Sequence, residues 1–98
     1  MKVLAIFTQS AIPKTGLSPT VDIYRLDTNA LVIDEAEMSE IGAGQYSYDF
    51  TVFDNDIDYS VICDSVTLTG SERYAYTLIS FSYFGFIEDK VRLIPGLL

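Results

Sequence analysis

The stretch EIGAGQYSYDF, residues 40–50, carries the clearest secondary-structure signal in the chain and decides its fold class. After the two glycines, three aromatic residues alternate with polar ones and so share one face: Tyr46, Tyr48 and Phe50. A period of two residues is typical of a β-strand with one buried side. Glycine adopts left-handed backbone conformations without steric cost. We therefore predict a structural corner at Gly42, Gly44 and Tyr46 that leads into this strand.

Segments of similar character recur along the chain, and turn-forming residues separate them about every 8–12 residues. The predicted strand segments are KVLAIFTQ (2–9), TVDIYRLD (20–27), LVID (31–34), QYSYDFTVF (45–53), YSVICDSVTL (59–68) and RYAYTLISF (73–81). In the second-to-last segment Tyr59, Val61 and Cys63 share a face, and in the last segment Tyr74, Tyr76 and Leu78 do so. Because no strand–helix alternation is present, the pattern predicts an all-β protein with antiparallel strands in a sandwich or barrel.

Three connecting segments complete this organisation. SAIPKTGLSPT (10–20) contains two prolines and a glycine, so we predict a loop. DTNA (27–30) favours a tight turn, which makes the following segment the return strand of a hairpin. EAEMSEIGAG (35–44) has weak helical character that the glycines end quickly, and we expect it to cross from one sheet to the other.

The last eighteen residues are apolar without clean alternation, whereas a terminus is usually polar unless something ties it down. We therefore divide the chain into a β-sandwich domain (1–80) and a C-terminal arm or last strand (81–98) that serves assembly. The predicted partner contacts are Phe81, Tyr83, Phe84, Phe86, Ile87, Val91, Leu93, Ile94, Leu97 and Leu98. Two further readings stay open, since this segment either supplies the last strand of its own domain or reaches a neighbouring chain.

Length and charge restrict the function classes. Ninety-eight residues form one domain that buries roughly 60–65% of its unfolded surface. The net charge is −8, so phosphate backbones and anionic membrane surfaces repel the chain, and we expect neither nucleic-acid nor membrane binding. The opening MKVLAIF has too short an apolar run for an export signal and is predicted to be the first strand.

The residue inventory gives no catalytic set. The chain has no histidine, which excludes Ser-His and Cys-His nucleophile systems and the usual zinc sites. Cys63 lies at an inward strand position and is interpreted as a buried structural thiol. We predict no catalytic, cofactor-binding or metal-binding residues, and therefore no enzyme.

Two acidic segments contain carboxylates that could form a site. DNDID (54–58) spaces Asp54, Asp56 and Asp58 like the start of a calcium loop, but the required glycine and glutamate are replaced by Tyr59 and Ser65. A solvated turn is the favoured interpretation, while calcium bound between loops stays possible. The acidic segment DEAEMSE (34–40) is interpreted as a solvated loop rather than as a pair of glycosidase carboxylates.

The step Gly44-Gln45-Tyr46 resembles the tyrosine corner of immunoglobulin-like domains, where a tyrosine hydroxyl bonds back to upstream backbone. Tyr48 replaces the cysteine that such a corner usually has two residues later. We accordingly expect an immunoglobulin-like sandwich of six to seven strands.

Three stretches together resemble small β-sandwich structural proteins of tailed bacteriophages: TGLSPTVDIYRLDT, MSEIGAGQYSYDF and DYSVICDSV. The resemblance covers about residues 15–66 and implies a non-enzymatic virion component, such as a capsid decoration or a head, neck or tail accessory protein. It implies contacts with major capsid or neck and tail proteins and with further copies of the chain, after synthesis in the host cytoplasm. The alternative is a ligand-binding sandwich module for carbohydrate or calcium, which the tyrosines and DNDID motivate.

Overall fold

The computed structural model describes residues 1–80, and this part of the chain is almost entirely antiparallel β-structure. Nine strands are present in it: β1 (Lys2–Ile6), β2 (Thr8–Gln9), β3 (Ile12–Pro13), β4 (Thr20–Arg25), β5 (Leu31–Glu37), β6 (Ser39–Gly42), β7 (Gln45–Asp49), β8 (Tyr59–Asp64) and β9 (Tyr74–Ile79). A 3-10 helix, Gly70–Arg73, precedes β9. No helix within residues 1–80 has the length and apolar character needed to span a bilayer. The predicted all-β class is confirmed.

The strands form three antiparallel sheets. One has three strands in the order β1-β7-β6, one has four in the order β5-β4-β8-β9, and β2 and β3 form a short hairpin. Strand β8 pairs along its whole length with β4 and with β9. Each of β1, β5, β6 and β9 pairs with a single neighbour within residues 1–80 and so lies at a sheet edge.

A single hydrophobic cluster joins the three-stranded and four-stranded sheets. The first sheet contributes Val3, Ala5 and Tyr46, which share a face because side chains alternate along a strand. The second contributes residues whose alternation is clearest in β8, where every other side chain is buried. The full buried set is Val3, Ala5, Phe7, Val21, Ile23, Met38, Tyr46, Phe50, Tyr59, Val61, Cys63 and Leu68.

The crossing between the two sheets occurs at Met38, between the end of β5 and the start of β6. The backbone N–H of Met38 donates to the Pro19 carbonyl at 3.1 Å, and its side chain is buried in the core. The chain therefore does change sheets within residues 35–44, as expected, but the weak helical character predicted there is wrong. The segments on either side of Met38 are strands, since β5 pairs with β4 and β6 pairs with β7. A single helical turn would not form these hydrogen bonds to neighbouring strands.

Other expectations for local structure need correction. Nine strands exceed the predicted six to seven, partly because β3 forms within the predicted loop 10–20. This hairpin turns at Ser10 and Ala11, which adopt positive φ of 53° and 66° although neither is glycine. The strand predicted over 45–53 ends at Asp49, so Val52 lies exposed in a loop instead of sharing the buried face of Phe50.

Candidate functional site

The predicted corner lies at the start of β7, where the chain around Phe7 and Pro13 approaches Gly44 closely. Gly44 has a φ of +79°, and a Cβ added there would lie 2.8 Å from the Phe7 carbonyl oxygen and 2.9 Å from Pro13 Cβ. Its own carbonyl accepts a hydrogen bond from the Phe7 N–H at 2.8 Å. Gly42 also has a positive φ, +125°, but open space around it. Gly44 therefore meets both demands that favour glycine, a left-handed backbone and a close approach.

The hydroxyl of Tyr46 fixes the loop that precedes β4. It donates to the Lys14 carbonyl at 2.8 Å and accepts from the Leu17 N–H at 3.2 Å. The ring is fully buried and packs edge-to-face on Phe7, with centroids 5.8 Å apart. The backbone that this hydroxyl contacts lies about thirty residues upstream, since the sequence separations are 32 and 29.

The loop before β4 and the segment that leads into β7 thus lie against each other. Besides the Tyr46 bonds, the Gly16 N–H donates to the Glu40 carboxylate at 3.1 Å. Beside this junction runs a shallow cleft lined by Leu17, Ser18, Pro19, Thr20, Glu37 and Met38. Among the described residues of that lining, Glu37 is the ionisable side chain.

The outer face of the four-stranded sheet carries a patch of apolar side chains. On β9, Tyr74, Tyr76 and Leu78 all point away from the core, and the last two are 70% and 61% exposed. The register places Tyr76 beside Ile62 of β8 and Leu78 beside Ser60. We call this set the β9 face; it comprises Tyr24, Leu31, Ile62, Tyr74, Tyr76 and Leu78.

Ring stacking and an ion pair order one end of the β9 face. The rings of Tyr74 and Tyr76 stack with centroids 6.0 Å apart and an interplanar angle of 25°. The Arg73 guanidinium lies 5.0 Å from the Tyr74 centroid and donates to both Asp64 carboxylate oxygens, at 2.7 and 3.0 Å. The hydrogen bond to Asp64 raises the pKa of Arg73. The Arg73 guanidinium is therefore positioned for a cation–π interaction with the Tyr74 ring, which stabilises this end of the β9 face.

A polar groove adjoins this end of the β9 face. Asp22, Glu35, Asp64 and Arg73 contribute to its lining. Glu35 adopts a φ of 49°, and its N–H donates to an Asp22 carboxylate oxygen at 2.6 Å. Arg73 is the single cation among these groups, so the groove is acidic overall.

The three-stranded sheet also has an apolar outer side. Leu4 and Ile6 point outward from β1 and are 56% and 64% exposed. We call these two residues the β1 face. Each face combines exposed apolar side chains with an edge strand, a combination that suits contact with another protein segment.

Burial and local hydrogen bonds determine the surroundings of Cys63 and of the aspartates in DNDID. Cys63 is buried, and burial, with a smaller contribution from the Asp22 charge, raises the pKa of its thiol to about 11. Asp54 accepts the Asp56 N–H at 2.8 Å, which closes a local turn. Asp58 accepts a hydrogen bond from the Ser80 hydroxyl at 3.3 Å. Within residues 1–80 no three acidic or thiol side chains are grouped to hold a metal ion.

The predicted partner contacts from Phe81 to Leu98 lie outside the described residues. The alternation in the sequence places Tyr74, Tyr76 and Leu78 on one face but does not indicate that this face is the outer one. The feature that distinguishes the two faces of β9 is the pairing of Ala75 with the buried Cys63, which places Ala75 on the inner side. No protein-family model, curated protein or solved structure matches the chain.

Proposed function

We propose that this protein is a non-enzymatic structural component of a tailed-phage particle and acts through protein–protein contacts. The observation that carries the proposal is the β1 face, where Leu4 and Ile6 lie exposed on the outer side of the three-stranded sheet. Contiguous apolar patches on soluble domains commonly mark contact surfaces. Two of the three stretches that resemble phage structural proteins meet at the junction around Tyr46, so this part of the resemblance falls on connected parts of the fold.

The proposed fold is an immunoglobulin-like sandwich. The support for it is that two antiparallel sheets share one cluster of buried residues. Such a domain gives a particle a rigid module, because the pairings β1–β7 and β4–β8 tie together segments that are distant in sequence. Its role as a decoration or as a head, neck or tail accessory protein requires surface contacts alone, with a virion location and no cofactor.

The β1 face is the proposed contact for other virion proteins. Leu4 and Ile6 are adjacent on the outer side of a strand that is at a sheet edge within residues 1–80, so a partner gains apolar area and access to the backbone groups along that edge. Burying two such side chains contributes roughly 1.5–3 kcal/mol each. A charged residue at either position would oppose that burial.

The test uses the phage that encodes the gene. Particles are purified, and the chain is quantified by mass spectrometry in wild type and in the double variant Leu4→Asp/Ile6→Asp. We expect the chain in purified particles and at least a tenfold loss of incorporation for the variant. The control is Val52→Asp, at an exposed loop position, which should incorporate normally. Absence of the chain from particles in which its expression is verified contradicts the proposal.

A second candidate is a carbohydrate-binding module, which the stacked and exposed rings of Tyr74 and Tyr76 favour. Flat aromatic surfaces present apolar faces that suit sugar rings. Thermal unfolding in the presence of a panel of oligosaccharides tests it, since a ligand that binds the folded state raises Tm. The same assay with millimolar calcium tests the calcium alternative, and an unchanged Tm in both series contradicts this candidate.

A further inference from the structure

The β9 face lies directly before the part of the chain that follows residue 80. Strand β9 ends at Ile79, and Leu78 is therefore the exposed apolar residue nearest to the start of residues 81–98. Strand β9 is also an edge strand within residues 1–80, because it pairs with β8 alone. Residues 81–98 are covalently joined to this part of the domain, so they can reach the β9 face without a separate association step.

The sequence after residue 80 has the composition that would cover such a face. Ten of its eighteen residues are apolar: Phe81, Tyr83, Phe84, Phe86, Ile87, Val91, Leu93, Ile94, Leu97 and Leu98. Four strands about 4.8 Å apart and six residues long give a face of roughly 15 by 20 Å. Eighteen residues reach at most about 60 Å when extended, so the segment is long enough to cross this face twice.

Net charge favours residues 81–98 over a second copy of the domain as the occupant of the β9 face. Residues 81–98 contain two acidic and two basic residues, so the whole net charge of −8 belongs to residues 1–80. Two such domains repel each other, whereas the neutral segment is not repelled. Its two basic residues, Lys90 and Arg92, also complement the acidic groove of Asp22 and Glu35 beside the β9 face.

We propose that residues 81–98 cover the β9 face of their own chain. A tethered segment acts at an effective concentration of about millimolar, which a separate partner rarely reaches in solution. The inference goes beyond the proposed function, and its consequence is that the β1 face is the apolar surface left for other proteins. The C-terminal segment then completes its own domain instead of serving as an arm.

Site-specific cross-linking in the full chain tests the occupant. A photoreactive benzoylphenylalanine replaces Tyr76, and equal amounts of ¹⁴N and ¹⁵N chains are mixed before irradiation and mass spectrometry. We expect cross-links from position 76 to peptides within 81–98 that join chains of one isotope. The same photoreactive residue at position 4, on the β1 face, should give no cross-link to those peptides. Mixed-isotope cross-links, which indicate a second copy, or no cross-link to 81–98 would overturn the proposal.

Hydrogen exchange gives a second measurement that does not depend on a bulky probe. In the full chain, Tyr76→Asp should increase amide exchange in peptides of residues 81–98 at least tenfold, because a charge then lies under the apolar segment. Ile6→Asp, a matched change on the β1 face, should leave exchange in those peptides unchanged. Equal exchange in wild type and in Tyr76→Asp contradicts the proposal. Neither outcome depends on whether the chain is found in phage particles, so the two proposals fail separately.

Discussion

Replacing Tyr46 with phenylalanine tests the junction that organises the corner. The change removes a hydroxyl oxygen but keeps the buried ring and its edge-to-face contact with Phe7. Two backbone groups then lose a partner, the Lys14 carbonyl at 2.8 Å and the Leu17 N–H at 3.2 Å. Because both contacts are partly buried, water replaces the missing oxygen poorly.

The magnitude follows from these two bonds. A typical intramolecular hydrogen bond contributes about 1 kcal/mol net, and a buried polar group left without a partner costs about 1–3 kcal/mol. The 2.8 Å bond has the better geometry and dominates the loss, and the longer bond adds less. We therefore expect Tyr46→Phe to lower the free energy of unfolding by about 2 kcal/mol, a large share of the stability of a small domain.

Urea unfolding followed by far-ultraviolet circular dichroism measures this change. Tyr76→Phe is the matched control, since it removes the hydroxyl of a largely exposed tyrosine and should change stability by less than about 0.5 kcal/mol. The midpoint should shift for Tyr46→Phe while the slope of the transition stays the same. An equal, small effect of both substitutions would refute the role assigned to the Tyr46 hydroxyl.

Three further predictions concern the corner, the hairpin and the thiol. Gly44→Ala should lower the free energy of unfolding by about 3 kcal/mol, because the new Cβ meets Phe7 and Pro13 at a left-handed φ; urea unfolding measures it. Hydrogen bonds from the Ala11 and Ser10 N–H groups lower the pKa of Glu72, so its stabilisation is present above the unfolded pKa and is lost as pH falls through the folded pKa. Glu72→Gln should therefore lower Tm at neutral pH and have a smaller effect at pH 3. The buried Cys63 thiol, with its pKa raised to about 11, should not react with a thiol reagent at pH 8 unless urea unfolds the chain.

Each of these has a control or a contradicting result. Gly16→Ala matches Gly44→Ala in backbone conformation, with a φ of +77° against +79°, but its Cβ would meet nothing within 4 Å. The difference between the two variants isolates the steric clash, and equal losses would disprove it. A Tm difference for Glu72→Gln that stays constant from pH 7 to pH 3 contradicts the role of the carboxylate. Rapid labelling of Cys63 in the native chain contradicts its burial.

Strand positions with strict alternation were predictable from the sequence. The period of two places Tyr59, Val61 and Cys63 on one face, and the structure buries all three. In DTNA the predicted tight turn falls where Asn29 takes a positive φ of 61°. These features depend on local chemistry, namely side-chain alternation and the backbone preferences of turn residues.

Features set by partners distant in sequence were not predictable. The outward direction of Tyr76 depends on the register that pairs β9 with β8, which the period alone does not fix. The β2–β3 hairpin turns at Ser10 and Ala11 because their N–H groups donate to the Glu72 carboxylate, more than sixty residues away. No turn signal within residues 8–13 indicates that contact.

Cryo-electron microscopy of the phage particle tests the central claim most directly, because it locates the chain and the neighbours of its β1 face. The account predicts density for this domain in the particle, with Leu4 and Ile6 buried against another virion protein. A complete particle map that contains no such domain, or one in which the β1 face lies in solvent, would contradict the account.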